Sequence, residues 1–139
     1  MEPEKICRIL QQYRTVAVVG LSPKPDRDSH RVARFLKEQG FRVIPVNPGQ
    51  KEILGEQCYA GLADIPESVE IVDVFRRSEA IPDVAEEAIR IGAKVFWMQL
   101  GIREEESARR LAGAGIEVVM DRCIKIEYIR CGLSGRSKE

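Results

Sequence analysis

The chain has 139 residues, 44% hydrophobic and 32% charged, which is long enough to bury one core and too apolar for a disordered polymer. Its 22 basic side chains balance 22 acidic ones, so no long-range field draws it to nucleic acid or an anionic membrane. The opening MEPEK is too charged for a secretory signal, and no apolar run nears the ~20 residues that span a bilayer, so a cytoplasmic protein is expected.

Ile6, Ile9, Leu10 and Tyr13 recur at helical spacing and predict a short amphipathic helix laid against the domain. Residues 16–19, VAVV, form a continuous apolar run ended by Gly20, the pattern of a strand buried on both faces of a parallel sheet. After a polar loop, Asp28 or Ser29 can cap a helix with Val32, Ala33 and Leu36 on its inner stripe and Gly40 at its end. Residues 41–46, FRVIPV, read as a second strand, with Pro45 placed where pairing should already be ending. Between 47 and 70 periodicity is weak. A loop is expected there, with a short strand near Cys58 and Tyr59 and one helical turn around 62–65.

Residues 71–75, IVDVF, predict a third strand, and Ile81, Val84, Ala85, Ala88 and Ile89 give the next helix a 3.6-residue stripe that ends at Gly92. A fourth strand is expected over 94–98 and a fifth over 116–120. The helix between them has Glu104, Glu105 and Glu106 at its start and Arg109 and Arg110 toward its end, a charge order that suits the helix dipole. Residues 124–131 read as a closing helix. Strands alternating with helices at this interval predict one α/β domain over 1–139, a three-layer doubly wound fold around a mainly parallel five-stranded sheet. Its core runs from about 13 to 131 and a polar tail covers 132–139.

In such a fold ligands bind beyond the carboxyl ends of the strands. After the first strand comes GLSPKPDRDS, residues 20–29, in which Gly20 permits a tight turn and Ser22, Lys24, Arg27 and Ser29 offer donors ahead of a helix N-terminus, a place suited to phosphate. The loop is neither a GxGxxG dinucleotide fingerprint nor a P-loop, since Ser22 and Pro25 stand where glycines would be needed. PVNP, at 45–48, replaces the acid that would bind the ribose of NAD. Asn47 and Pro48 can either border an adenine or simply end the strand. Arg76 and Arg77 follow the third strand, where a guanidinium can clamp an anion, although neighbouring side chains diverge. Gln99 can hold an amide or carbonyl, and Gly101 allows close backbone approach.

Taken in order, VVGLS at 18–22 with Arg27 and Ser29, PVNP, DVFRR at 73–77, WMQLG at 97–101 and DRC at 121–123 resemble the small stand-alone coenzyme A-binding proteins over nearly the whole chain. The same domain type resembles the coenzyme A-binding part of the succinyl-CoA synthetase α subunit. The resemblance implies a Rossmann-like fold with coenzyme A as ligand. It also implies that the loop from Gly20 and Leu21 to Ser29 holds the phosphates, that Asn47 and Pro48 border the adenosine, and that Phe75, Arg76 and Gln99 line the rest of the groove. The synthetase's phosphorylated histidine has no counterpart here. The only histidine, His30, falls in the first turn after the phosphate loop, where capping or packing is expected.

Cys7, Cys58, Cys123 and Cys131 form no CxxC pair, so neither zinc nor a disulfide framework is signalled and reduced, space-filling thiols are expected. Cys123 follows the fifth strand and can face the crevice that receives the thiol end of the coenzyme. With no catalytic set or metal cluster in the sequence, a binding protein for coenzyme A or acyl-CoA is expected, acting as sensor, carrier or protein partner. A CoA-ligase or transferase subunit requiring a partner chain comes second, and a nucleotide- or NAD-binding regulator third.

Overall fold

The computed structural model describes residues 1–134. Five parallel strands form its centre: β1 (Thr15–Val19), β2 (Arg42–Val46), β5 (Ile71–Val74), β6 (Val95–Met98) and β7 (Glu117–Val119), with the small antiparallel pair β3 (Glu52–Ile53) and β4 (Glu56–Gln57) outside the sheet. The helices are α1 (Pro3–Gln12), α2 (Asp28–Glu38), α3 (Ile81–Ile91), α4 (Glu105–Gly113) and α5 (Ile124–Arg130). Strand order is β2-β1-β5-β6-β7. The chain therefore winds outward from β1 to β2, then crosses back to β5 and proceeds the other way. This reversal sets the switch point at β1 and β5, beside which doubly wound folds place their ligands.

The central strands are apolar on both faces because both faces are covered. Val16, Val18, Ile71, Val95 and Trp97 share one core cluster with Ile6, Ile9 and Leu10 of α1, Val32, Ala33 and Leu36 of α2, and Ile124 and Tyr128 of α5. Ala17, Val19, Val72, Val74, Phe96 and Met98 share the other with Ile81, Val84, Ala85 and Ala88 of α3 and Leu111 of α4. Alternate residues of each strand thus serve opposite layers, the geometry of a three-layer Rossmann-like α/β fold.

Three details differ from the expectations. Pairing of β2 with β1 continues through Pro45, opposite Val18, to Val46. The strand tolerates the proline because β2 lies at the sheet edge and the Pro45 carbonyl points outward, accepting from the Tyr59 N–H at 3.0 Å; the missing N–H is therefore on the outer side, where no ladder bond is lost. Leu133, in the segment expected to be a polar tail, is 5% exposed and packs in the first core cluster, while residues 135–139 lie outside the described part.

The third difference is a correction. Cys7 and Cys131, expected as reduced thiols, form a disulfide with their Cα atoms 5.6 Å apart; Cys58 and Cys123 remain free. The partners are 124 positions apart and meet only because α1 packs beside α5. A pairing created by tertiary packing leaves no spacing signal in the sequence.

Candidate functional site

The loop after β1 is built before any ligand arrives. Gly20 has φ +85°, and a Cβ there would sit 2.5 Å from the Phe75 carbonyl oxygen and 3.0 Å from Arg76 Cδ. Only glycine satisfies both the left-handed backbone and that approach. The Gly20 N–H donates to the Val46 carbonyl at 3.0 Å, and the Ser22 N–H donates to Ser29 Oγ at 2.9 Å. Ser22 Oγ accepts from the Lys24 N–H at 3.1 Å, and His30 Nδ1 lies 3.0 Å from the Ser22 carbonyl. Neither Asp28 nor Ser29 caps α2 as expected: the helix begins at Asp28, Arg27 occupies the cap position without a side-chain bond, and the buried Ser29 hydroxyl turns back to hold the loop. His30, expected to cap or pack, is buried with its ring against the Ser22 carbonyl.

Asn47 belongs to the same scaffold. Its Nδ2 donates to the Leu21 carbonyl at 2.9 Å, and its Oδ1 accepts from the Gly49 N–H at 2.8 Å. Both ends of the amide are thus engaged with backbone, which ties the end of β2 to the loop after β1. Leu21 is buried in the core, whereas Lys24, Arg27 and Pro48 are exposed.

A cleft of about 770 Å³ opens beside this loop, bounded by the segments after β5 and β6, the first turns of α2 and the start of α5. It brings together Phe75, Arg76, Arg77, Gln99 and Gly101 of the expected site, with Cys123 also on its wall. The remaining expected residues, Gly20, Leu21, Ser22, Lys24, Arg27, Ser29, Asn47 and Pro48, do not line it; they form the adjoining loop, joined to it where Gly20 meets Phe75 and Arg76. Among the described residues, neither the Arg76 nor the Arg77 side chain has a hydrogen-bond or ion-pair partner, whereas Arg31, which also lines the cleft, is paired with Asp28. The cleft therefore holds two cationic groups free to receive an anion.

The WMQLG and DRC segments fit together as one structure. Asp121, with φ +58°, accepts from the Gly101 N–H at 2.6 Å, and the Arg122 carbonyl accepts from Trp97 Nε1 at 2.8 Å. These bonds hold the turn after β6 against the start of α5 and set Cys123 on the cleft wall.

Sequence reasoning passed over Asp73, which is 0% exposed in the middle strand of the sheet, between Val18 and Trp97 in register. Burial pushes its carboxyl up to about 8, opposed by the hydrogen bond from Gln99. Gln99 Nε2 donates to Asp73 Oδ1 at 2.6 Å, while Asp73 Oδ2 has no partner. The available signal was a lone acid inside the apolar run IVDVF of a central strand, where an ionisable group is costly unless paired. Arg31 and Lys125 also line the cleft and were not among the expected site residues.

This architecture, a glycine-turned loop beside a cleft that carries two arginines at the carboxyl ends of a doubly wound sheet, is that of a Rossmann-like α/β domain. Residues 14–129 match the family described as CoA binding domain, and the chain belongs to that family. It is 45% identical over 124 residues, 89% of this chain and 92% of the other, to the protein of Bacillus subtilis (strain 168) named Uncharacterized protein YneT. A hypothetical protein from Pyrococcus horikoshii OT3 superposes with TM-score 0.91 at 40% identity, over 94% of this chain and 92% of the other. Acetate–CoA ligase [ADP-forming] I of Archaeoglobus fulgidus is 29% identical over 121 residues, which is 80% of this chain and 18% of the ligase. The chain is thus related to one portion of a much larger enzyme. Among the described residues no helix is long and apolar enough to cross a membrane, and no cluster of His, Cys, Asp and Glu could hold a metal ion.

Proposed function

We propose that this chain binds coenzyme A or an acyl-CoA in the cleft at the β1/β5 switch point, and that it does so as a sensor, carrier or protein partner with no chemistry of its own. The observation that carries this reading is the pair of Arg76 and Arg77 side chains, without partners among the described residues, beside a glycine loop already fixed by Ser29, His30 and Asn47. Coenzyme A carries a pyrophosphate and a ribose 3′-phosphate, enough anionic groups to engage Arg76, Lys24 and Arg27. Its pantetheine arm then runs along Phe75 and Gln99 toward Cys123. The reading assigns the chain to the cytoplasm. The test is mass spectrometry of the ligand retained by the native protein, followed by calorimetric titration with coenzyme A. Retention of a different nucleotide, with no heat on adding coenzyme A, would overturn it.

Kinship with the ligase supports a second reading, in which this chain supplies the coenzyme A site to an enzyme completed by another polypeptide. Copurification of a second chain that confers ADP-forming ligase activity would establish it; coenzyme A binding alone would favour the first.

A further inference from the structure

A glutamine in a binding cleft is ambiguous, because its amide presents an acceptor at one end and donors at the other. Beneath Gln99 the ambiguity is removed. Its Nε2 is committed to Asp73 Oδ1 at 2.6 Å, in a contact with both side chains buried. Among the described residues Gln99 Oε1 has no partner, and the only enclosed side-chain polar atom without one is Asp73 Oδ2. The Gln99 oxygen is therefore not fully enclosed, and Gln99 is one of the residues that line the cleft.

Resting on the reading of this cleft as a coenzyme A site, we propose that Asp73 is a positioning residue that locks the Gln99 carboxamide with its oxygen toward the ligand, so that the cleft selects an arm bearing N–H donors. Coenzyme A supplies such donors in the two amides of its pantetheine arm, whereas adenosine 3′,5′-bisphosphate, which keeps the adenosine, the 3′-phosphate and one of the two pyrophosphate phosphates, has none in that position. Asp73 itself touches no ligand. Its position explains why an acid stays in a central strand at a site where an apolar side chain would pack at lower cost. Burial favours the protonated carboxyl, and with Oδ1 accepting from Gln99 the proton falls on Oδ2. A neutral amide at position 73 can reproduce that contact.

The experiment uses the full chain, with coenzyme A and adenosine 3′,5′-bisphosphate as calorimetric probes. Asp73→Leu removes the acceptor while keeping the bulk, and should weaken coenzyme A about tenfold or more, leaving the bisphosphate within about twofold. Asp73→Asn should restore most of the lost affinity. Gln99→Met should match Asp73→Leu, and the double variant should lose no more than either single one. A second readout needs no ligand: the Gln99 side-chain NH₂ resonances, assigned by their disappearance in Gln99→Met, should be shifted downfield in the wild type and move to ordinary glutamine positions in Asp73→Leu. Unchanged Gln99 resonances in Asp73→Leu, or equal weakening of both probes, would overturn the inference while leaving coenzyme A binding intact. Failure of the wild type to bind coenzyme A would instead remove the reading on which the ligand assignment rests, and the resonances alone would then decide the amide's orientation.

Discussion

Gly20 and Phe75 meet backbone to backbone: a Cβ on the former would stand 2.5 Å from the carbonyl oxygen of the latter. Two strand ends, of β1 and β5, therefore touch at the mouth of the crevice with no side chain between them. Gly20→Ala must relieve both the contact and a φ of +85°. It should cost on the order of 2–5 kcal/mol of stability, read by chemical denaturation, and weaken coenzyme A binding in any fraction that folds. Wild-type stability in this variant would mean that the two strand ends separate freely.

Arg76 has its stem over Gly20 and no ionic partner among the described residues. Arg76→Ala and Arg27→Ala should each cost about 1.5–3 kcal/mol in coenzyme A affinity by calorimetry, the range for a charge-assisted hydrogen bond. Arg110, ion-paired with Glu86 away from the cleft, serves as the control whose replacement leaves affinity unchanged. Unchanged affinity in either test variant removes that residue from the site.

The pH dependence of stability should carry the mark of Asp73. Its folded value is raised to about 8, against an unfolded value of about 4. The folded chain thus keeps a proton that the unfolded chain releases between those values. The resulting stability is fully present below about pH 4 and is lost as pH rises through about 8. Asp73→Asn should flatten the denaturation free energy across that window. An identical slope in the variant would show that another group carries it.

Ligand specificity can be read from thermal shifts. Coenzyme A at a large excess over its dissociation constant should raise the melting temperature, while NAD at equal concentration should do so much less, because the loop after β1 lacks the glycines and the β2 end lacks the acid that NAD requires. Stronger protection by NAD would overturn the functional reading and leave the fold untouched.

Cys123 is the free thiol on the cleft wall, whereas Cys58 is buried and its thiol is pushed up by burial and by the nearby Glu52 carboxylate. Incubation with coenzyme A disulfide should produce a mixed disulfide at Cys123: its thiolate attacks one sulfur and one coenzyme A thiolate leaves. Peptide mass spectrometry reads the site. Persistence of the same adduct after Cys123→Ser would exclude it.

The sheet was legible because strands covered on both faces are largely apolar, and VAVV and VFWM announce this without any partner in view. The tight turn after β1 was legible in the glycine that ends the strand, and Gly20 takes the left-handed backbone there. What stayed hidden depends on which segments meet. Asn47 read either as a border to adenine or as the end of the strand, and its bonds to the backbone of Leu21 and Gly49, which tie the end of β2 to the loop after β1, leave no trace in the sequence. Asp73 and Gln99 are 26 positions apart and become a pair only when β5 and β6 lie in register.

The Cys7–Cys131 bridge converts the chain between these residues into a covalent ring, in which β1 to β7 are all enclosed. A protease that cuts once within any exposed turn of that ring, such as the segment around Pro48 to Lys51, opens a circle instead of releasing a fragment. The nicked molecule keeps its full mass on a non-reducing gel and falls into two pieces only when a thiol reductant is added. An external pull on the two ends would likewise be borne by one sulfur–sulfur bond between α1 and α5, and the ladder of parallel strands would feel none of it until that bond is reduced.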